Sequence, residues 1–319
     1  MRLIKLVPDN TNIGFVRNRW LAFGLTVALT LGSIGLLGAR GLNLGVDFVG
    51  GLLLEVGFQK PVALDELRST VLTANAGQAA LQEFGGPTDI AVRLPPPPGD
   101  QAAVQRVVGR VQGVIRAKHP DATFRRVETV TGKVSGELIR TGVIAVALGM
   151  LGIALFTWLR FEWHFGISTL VALVHDVIVT LGAFALMGWE FNLNVVAAIL
   201  TIIGYSLNDK IVIDDRIREN LRKYRKMDIG QLIDLSVNET LPRTVNTSLS
   251  LILALGAFLV LGGEVLRGFT AAMLIGIVVG TYSSIFVSSS LLISLGLTSR
   301  TFAARGDDTA AKAERLARP

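Results

Sequence analysis

The sequence predicts a polytopic α-helical membrane protein, with six transmembrane helices and one extracytoplasmic α+β domain between the first and second. Three observations carry this. Half of the 319 residues are hydrophobic and only 18% are charged, with a mean hydropathy of +0.53, too apolar for a soluble domain of this size. Cutting the chain at Lys, Arg, Asp and Glu leaves six long uncharged runs, and a membrane helix needs about 20 such residues. Between the first two runs lies a stretch of mixed composition, near Gly41 to Ser135, that has no membrane character.

The runs lie near Trp20–Ala39, Thr141–Leu159, Trp163–Trp189, Phe191–Asp215, Thr244–Gly263 and Gly268–Ser299. The third and fourth runs are continuous only when charged residues in mid-run are allowed, Asp176 in the third and Asp209 and Lys210 in the fourth. Arg2, Lys5, Arg17 and Arg19 precede the first run, Arg160 follows the second, and Arg216, Arg218, Arg222, Lys223, Arg225 and Lys226 follow the fourth. All fall on one side of a six-crossing topology, which the positive-inside rule assigns to the cytoplasm along with both termini. The first run lacks a small-residue cleavage site and reads as a retained helix. This divides the chain into a cytoplasmic N-terminus (1–19), helix 1 (20–39), the extracytoplasmic domain (40–136), helices 2–6 (137–299) with a basic cytoplasmic loop at 216–243, and a disordered cytoplasmic tail (300–319).

Within the domain, Gly50–Phe58 alternates as a strand and Val62–Asn75 carries Leu64, Leu67, Val71 and Leu72 at helical spacing. Ala79–Phe84 and Thr88–Leu94, joined by Gly85, Gly86 and Pro87, read as a hairpin stopped by Pro95–Pro98. Gln101–Lys118 is a second amphipathic helix and Thr123–Val130 a closing strand. Strand, helix, strand, strand, helix, strand is the ferredoxin-like split β-α-β order. No catalytic cluster occurs there, so a binding role suits the domain.

Several function classes are excluded or disfavoured. With no cysteine, neither a disulfide framework nor a thiolate metal site is available. His119, His164 and His175 are scattered, so no metal site is expected. The net charge of +6 matches basic cytoplasmic loops better than nucleic acid. No GxxxxGK[ST] loop is present, so energy must come from ion movement or a partner, and the chain is expected to be neither an enzyme nor a holder of cofactors.

Polar residues inside the runs point to function, because an acid at the centre of a membrane helix costs about 2.5–3.5 kcal/mol on insertion scales. Asp209 lies roughly 7–9 Å from the cytoplasmic end of the fourth helix, with Tyr205, Ser206 and Asn208 within a turn. Asp176, next to His175, lies about 15 Å into the third helix. It reads equally as a proton-exchanging acid and as a fixed interhelical hydrogen-bond partner. Arg243 opens the fifth helix, followed by Thr244, Asn246, Thr247 and Ser248. Both Asp209 and Arg243 are placed toward the cytoplasm, which allows a pair that breaks on protonation of the acid. Small residues recur every four positions at Ala272, Gly276, Gly280, Ser284 and Ser288, with a similar hint at Gly32, Gly35 and Gly38, and such stripes let helices approach closely.

Together, DFVGG at Asp47–Gly51, VALVHDV in the third helix, GYSLND and DRIREN in and after the fourth, and TLPRTVNTS opening the fifth resemble the SecF branch of the SecD/SecF family, within the resistance-nodulation-division superfamily. The resemblance covers the chain from the first helix to about Gly296. It implies an inner-membrane subunit paired with SecD, assisting the SecYEG channel and SecA by using the proton gradient to act on unfolded preprotein outside the membrane. It also implies proton handling by Asp209 and Arg243, with Asp47, Phe48, Gly50 and Gly51 forming a family motif. Lys210 departs from the family pattern, where a small uncharged residue such as Thr follows the Asp, and places a cation beside that acid. Two other readings compete: a half-size exporter of lipids or small molecules from the same superfamily, and a scaffold subunit of the translocon without proton coupling.

Overall fold

The computed structural model describes residues 7–8, 11–74, 79–84, 86–95, 101–130, 132–263 and 266–298. The expected tail at 300–319, Arg2 and Lys5, Gly85 and Pro96–Pro98 lie outside the described residues. The chain divides into two compact units, one of residues 43–145 and 190–194, the other of residues 1–42, 146–189 and 195–319.

The first unit is built on a four-stranded sheet. Its elements are β1 (Asn43–Leu44), α2 (Val46–Val49), β2 (Gly51–Gly57), α3 (Leu64–Leu72), β3 (Ala80–Phe84), β4 (Gly86–Leu94), α4 (Gln101–Lys118) and β5 (Thr123–Val130). The strands run in the order β3-β4-β2-β5 with every neighbour antiparallel, the strand order that a split β-α-β chain produces. On one face Leu52, Leu54, Val56, Ile90, Val92 and Leu94 meet Leu67 and Val71 of α3 and Val104, Val107, Val108, Val111 and Ile115 of α4. Each large apolar side chain buried there contributes about 1.5–3 kcal/mol.

The other face is mixed, with Val46 of α2 packed on Leu53 and Ala91 beside polar residues. Glu55 is buried on it, 3.5 Å from Arg126, which also pairs with Glu128. Burial pushes the Glu55 carboxyl above its ordinary 4.5, outweighing the opposing guanidinium of Arg126.

The DFVGG segment explains itself in this unit. Asp47 Oδ2 accepts from the amide of Leu193 at 2.9 Å, and Phe48 stacks on Phe191 with ring centroids 5.6 Å apart. Gly50 and Gly51 have φ of 76° and 121°, a region that favours glycine, and a Cβ on Gly51 would meet the Leu94 carbonyl oxygen at 2.4 Å. The short strand β6 (Glu190–Phe191) pairs in parallel with β1, and Arg93 pairs with Glu190. The connection between the third and fourth membrane helices therefore belongs to the sheet unit.

The second unit contains α1 (Arg19–Arg40), most of α5 (Gly132–Arg160), α6 (Trp163–Met187), α7 (Leu193–Lys223) from Val195 onward, α8 (Ile229–Leu261), α9 (Arg267–Tyr282), a π-helical segment (Ser283–Ser288) and α10 (Ser289–Ser294). Six helices are long and apolar enough to cross a membrane, the sixth formed by the run from α9 to α10. Their burial is uneven: half or more of the best apolar window is buried in α6, α7 and the last span, against 6% in α5 and 11% in α8.

Two expectations are corrected here. The stretch expected as the loop 216–243 is helical apart from its middle, since α7 continues to Lys223 and α8 begins at Ile229. Its 31 residues make α7 about 46 Å long, beyond the roughly 30 Å hydrocarbon, and the charged end is held by contacts. Arg216 Nε lies 2.7 Å from Glu239 Oε2, Asn220 donates to Ser236 and Glu239, and Ile217 and Leu221 pack on Leu232, Ile233 and Val237. The basic residues hid an amphipathic hairpin. The Gly32, Gly35 and Gly38 stripe meets nothing within 4 Å; α1 buries Ala22, Thr26 and Ser33 instead. By contrast Ala272, Gly276, Gly280, Ser284 and Ser288 are all buried, and a Cβ on Gly276 would meet Ile202 at 2.4 Å.

Candidate functional site

Helices α6, α7 and the last span enclose a polar centre. Asp176 of α6 is 1% exposed and Lys210 of α7 is likewise 1% exposed. Nζ of Lys210 stands 3.1 Å from Asp176 Oδ2. It also donates to Ser206 Oγ and, at 3.2 Å, to Ser283 Oγ, while Ser206 Oγ donates to Asp176 Oδ2 at 2.6 Å. Helical side chains lean toward the N-terminus, so the Lys210 stem runs back over the turn that holds Ser206. Gly280 makes room: a Cβ there would come within 2.9 Å of Ser206 Oγ and 3.6 Å of Asp176 Oδ2.

His175 lies beside this centre, its Nδ1 2.9 Å from Thr30 Oγ1 of α1. Tyr282 continues the polar layer, donating to the Ala22 carbonyl at 2.9 Å with Thr26 Oγ1 at 3.2 Å. Asp176 thus has an interhelical partner, and that partner is a cation.

Asp209 sits one position away and faces elsewhere. It is 2% exposed, and its Oδ2 is buried without a hydrogen-bond partner among the described residues. Arg243 is exposed. No ion pair joins it to Asp209 among the described residues, so the pair that the sequence allowed is open. Arg243 follows Pro242, which lies inside α8 and leaves the carbonyl four residues back without its helical donor. Tyr205 and Ser248 are 3.0 Å apart, and Ser248 and Thr281 2.8 Å apart, tying α7, α8 and α9 together near these residues. Asn208 and Asn246, expected as supporting polar residues, are exposed.

Two buried residues escaped the sequence reading as site members. Lys210 was noted only for its charge; its i, i+4 spacing from Ser206 was the available sign that both share a face. Asp214, one turn further on, is 1% exposed with Oδ2 unpartnered among the described residues. Thr169, Lys210 and Arg218 lie in its neighbourhood. The acidic run Asp214–Asp215 reads as the start of the charged end, which concealed it. Helix α7 thus carries two buried carboxyls, Asp209 and Asp214, besides the buried Lys210, whose ion-pair partner Asp176 belongs to α6.

Comparison with known proteins places this arrangement. The model of "Protein export membrane protein SecD/SecF, C-terminal" matches residues 110–298 and that of the "SecD/SecF GG Motif" matches residues 35–62. Similar curated proteins include protein translocase subunit SecF of Cereibacter sphaeroides, 40% identical over 92% of this chain and 93% of the relative. SecF of Rickettsia felis is 38% identical over 91% and 94%, and SecF of Vibrio alginolyticus 39% over 92% and 93%. The crystal structure of SecDF, a translocon-associated membrane protein from Thermus thermophilus, matches with a TM-score of 0.82 at 35% identity over 90% of this chain. The chain spans only 39% of that SecDF chain. With family models matching residues 35–62 and 110–298 and relatives 38–40% identical along nine-tenths of its length, the chain belongs to the SecD/SecF family of protein-export membrane proteins.

Proposed function

We propose that this chain is the SecF half of a SecD–SecF unit in the cytoplasmic membrane, which draws on the proton-motive force to promote preprotein translocation through SecYEG after SecA has driven it. The observation that carries this reading is Asp209, a buried carboxyl with an oxygen unpartnered among the described residues, which forms no ion pair there with the exposed Arg243. An acid in that position gains or loses a proton at little structural cost, and the arginine is free to answer on a second surface.

SecD as the second half is supported by the poorly buried α5 and α8 and by the SecDF chain, of which this chain matches 39%. Transporters of this kind commonly consist of two related halves around a midplane site. The basic ends of the helices support cytoplasmic termini, and the sheet unit, outside the membrane, would act on unfolded preprotein.

The test is Asp209→Asn and, separately, Arg243→Ala, each co-expressed with SecD and assayed in vesicles with and without a proton gradient. Both variants assemble, and export falls to the gradient-free rate. Normal gradient-dependent stimulation in either variant supports the scaffold reading instead. Transport of lipid or drug without an effect on preprotein supports the half-size exporter.

A further inference from the structure

We infer that the ammonium of Lys210 is a tethered cation seated in an oxygen cage suited to a sodium ion, and that its permanent presence releases this chain from any need for sodium. The second clause rests on the proposed proton-driven function; the cage itself does not.

All the oxygens around Nζ belong to other residues. Asp176 Oδ2 comes from α6, Ser206 Oγ from α7 and Ser283 Oγ from the start of the π-helical segment. The three ammonium protons are matched by these three acceptors. Asp176 Oδ1 is also buried and has no partner among the described residues, so a fourth oxygen is available beside them. A carboxylate with hydroxyl oxygens and no nitrogen or sulfur donor is the ligand set that hard cations prefer. The residues arrive from three helices, and the irregular turn at Ser283–Ser288 is of the kind that often marks functional positions. Gly280 keeps the space open, since its missing side chain would press on Ser206.

The lysine contributes charge but no wall. Its stem enters from one turn along α7, so truncation removes the cation and leaves every ligand oxygen in place. A buried carboxylate left without a counter-charge is costly, which gives a small cation the reason to enter the vacated space. In the intact protein that space is filled by a covalently held nitrogen, so sodium neither binds there nor exchanges.

The experiment uses the full chain purified in detergent micelles, in sodium, potassium or choline chloride at equal ionic strength. Lys210→Ala is expected to bind one radioactive sodium ion per chain. Its unfolding midpoint should rise by about 3 °C at sodium tenfold above the dissociation constant, relative to choline. The unaltered protein shows no sodium-specific shift, and Asp176→Asn added to Lys210→Ala abolishes the response. If Lys210→Ala does not accumulate, Lys210→Ser, which adds a further oxygen, takes its place in the same assay. An equal response to potassium and sodium, no response in either variant, or a sodium response in the unaltered protein each overturns the inference. Lost export in Asp209→Asn together with no sodium binding in the Lys210 variants rejects the cage and keeps the proposed function. Normal export in Asp209→Asn with sodium binding in Lys210→Ala rejects the function and keeps the cage.

Discussion

Two acid and base couples share helix α7, and they differ in closure. Asp176 and Lys210 are both about 1% exposed and stand 3.1 Å apart. Asp209 is buried but Arg243 is exposed, and they form no ion pair among the described residues. The closed couple finds its counter-charge within one chain, with Ser206 donating to Asp176 and Ser283 accepting from Lys210. The open couple leaves an acid short of a partner and a base turned outward. Adjacent positions on α7, about 100° apart, thus differ in what they meet: Lys210 joins α6, α7 and the last span, and Asp209 has no ion-pair partner among the described residues.

The comparison is broken most severely by splitting the closed couple. Asp176→Leu removes the ion-pair partner of the buried Lys210, and breaking a buried pair by removing one member costs about 3–5 kcal/mol. Thermal unfolding in detergent should show this loss, and the double variant Asp176→Asn with Lys210→Met should regain most of it. Asp209→Asn is expected to leave the unfolding midpoint nearly unchanged or slightly raised, because it removes a buried charge that has no close partner. A loss as large as that of Asp176→Leu would mean that the two couples do not differ.

Packing around the closed couple gives the next effect. Gly276→Ala places a Cβ 2.4 Å from Ile202, and overpacking of this kind costs about 1–3 kcal/mol. Gly32→Ala meets nothing within 4 Å and should be neutral in the same measurement. Asp47→Ala removes the acceptor of the first amide of α7, and the loss of such a cap costs about 1 kcal/mol. Hydrogen exchange at Leu193 and the following residues reports it.

The smallest effect separates the sheet unit from the membrane couples. Burial raises Glu55 above 4.5 in the folded state, so the folded chain binds more protons than the unfolded chain just above that pH. Stability of the sheet therefore falls as pH rises through this window and is level on either side of it. Glu55→Gln should slow hydrogen exchange of β2 and β5 at pH 7 and have no effect below pH 4.5.

Much of this was legible in the chain. Gln101–Lys118 and Thr123–Val130 are read to the residue because a 3.6-residue or two-residue period survives whatever the element packs against. The Ala272 to Ser288 stripe is legible for the same reason, since small side chains at every fourth position leave one face open to a neighbour. The 216–243 stretch misled because charge density reads as solvent, while Ile217, Leu221, Ile233 and Val237 at helical spacing carry the real signal. The Gly32, Gly35 and Gly38 pattern misled in the opposite sense, as composition without a neighbour.

By itself the sequence determined where the chain crosses the membrane, which side chains the membrane makes expensive, and the order of strands and helices in the inserted domain. These follow from local periodicity and from transfer energies that act residue by residue. Only the tertiary structure decided that Lys210 meets Asp176 instead of Asp209, that Arg243 stays open, and that Asp214 is buried. A helix fixes the direction in which each side chain points, but the group lying across from it comes from a distant part of the chain. Long side chains such as lysine then reach a full turn away from their own backbone before they find a partner.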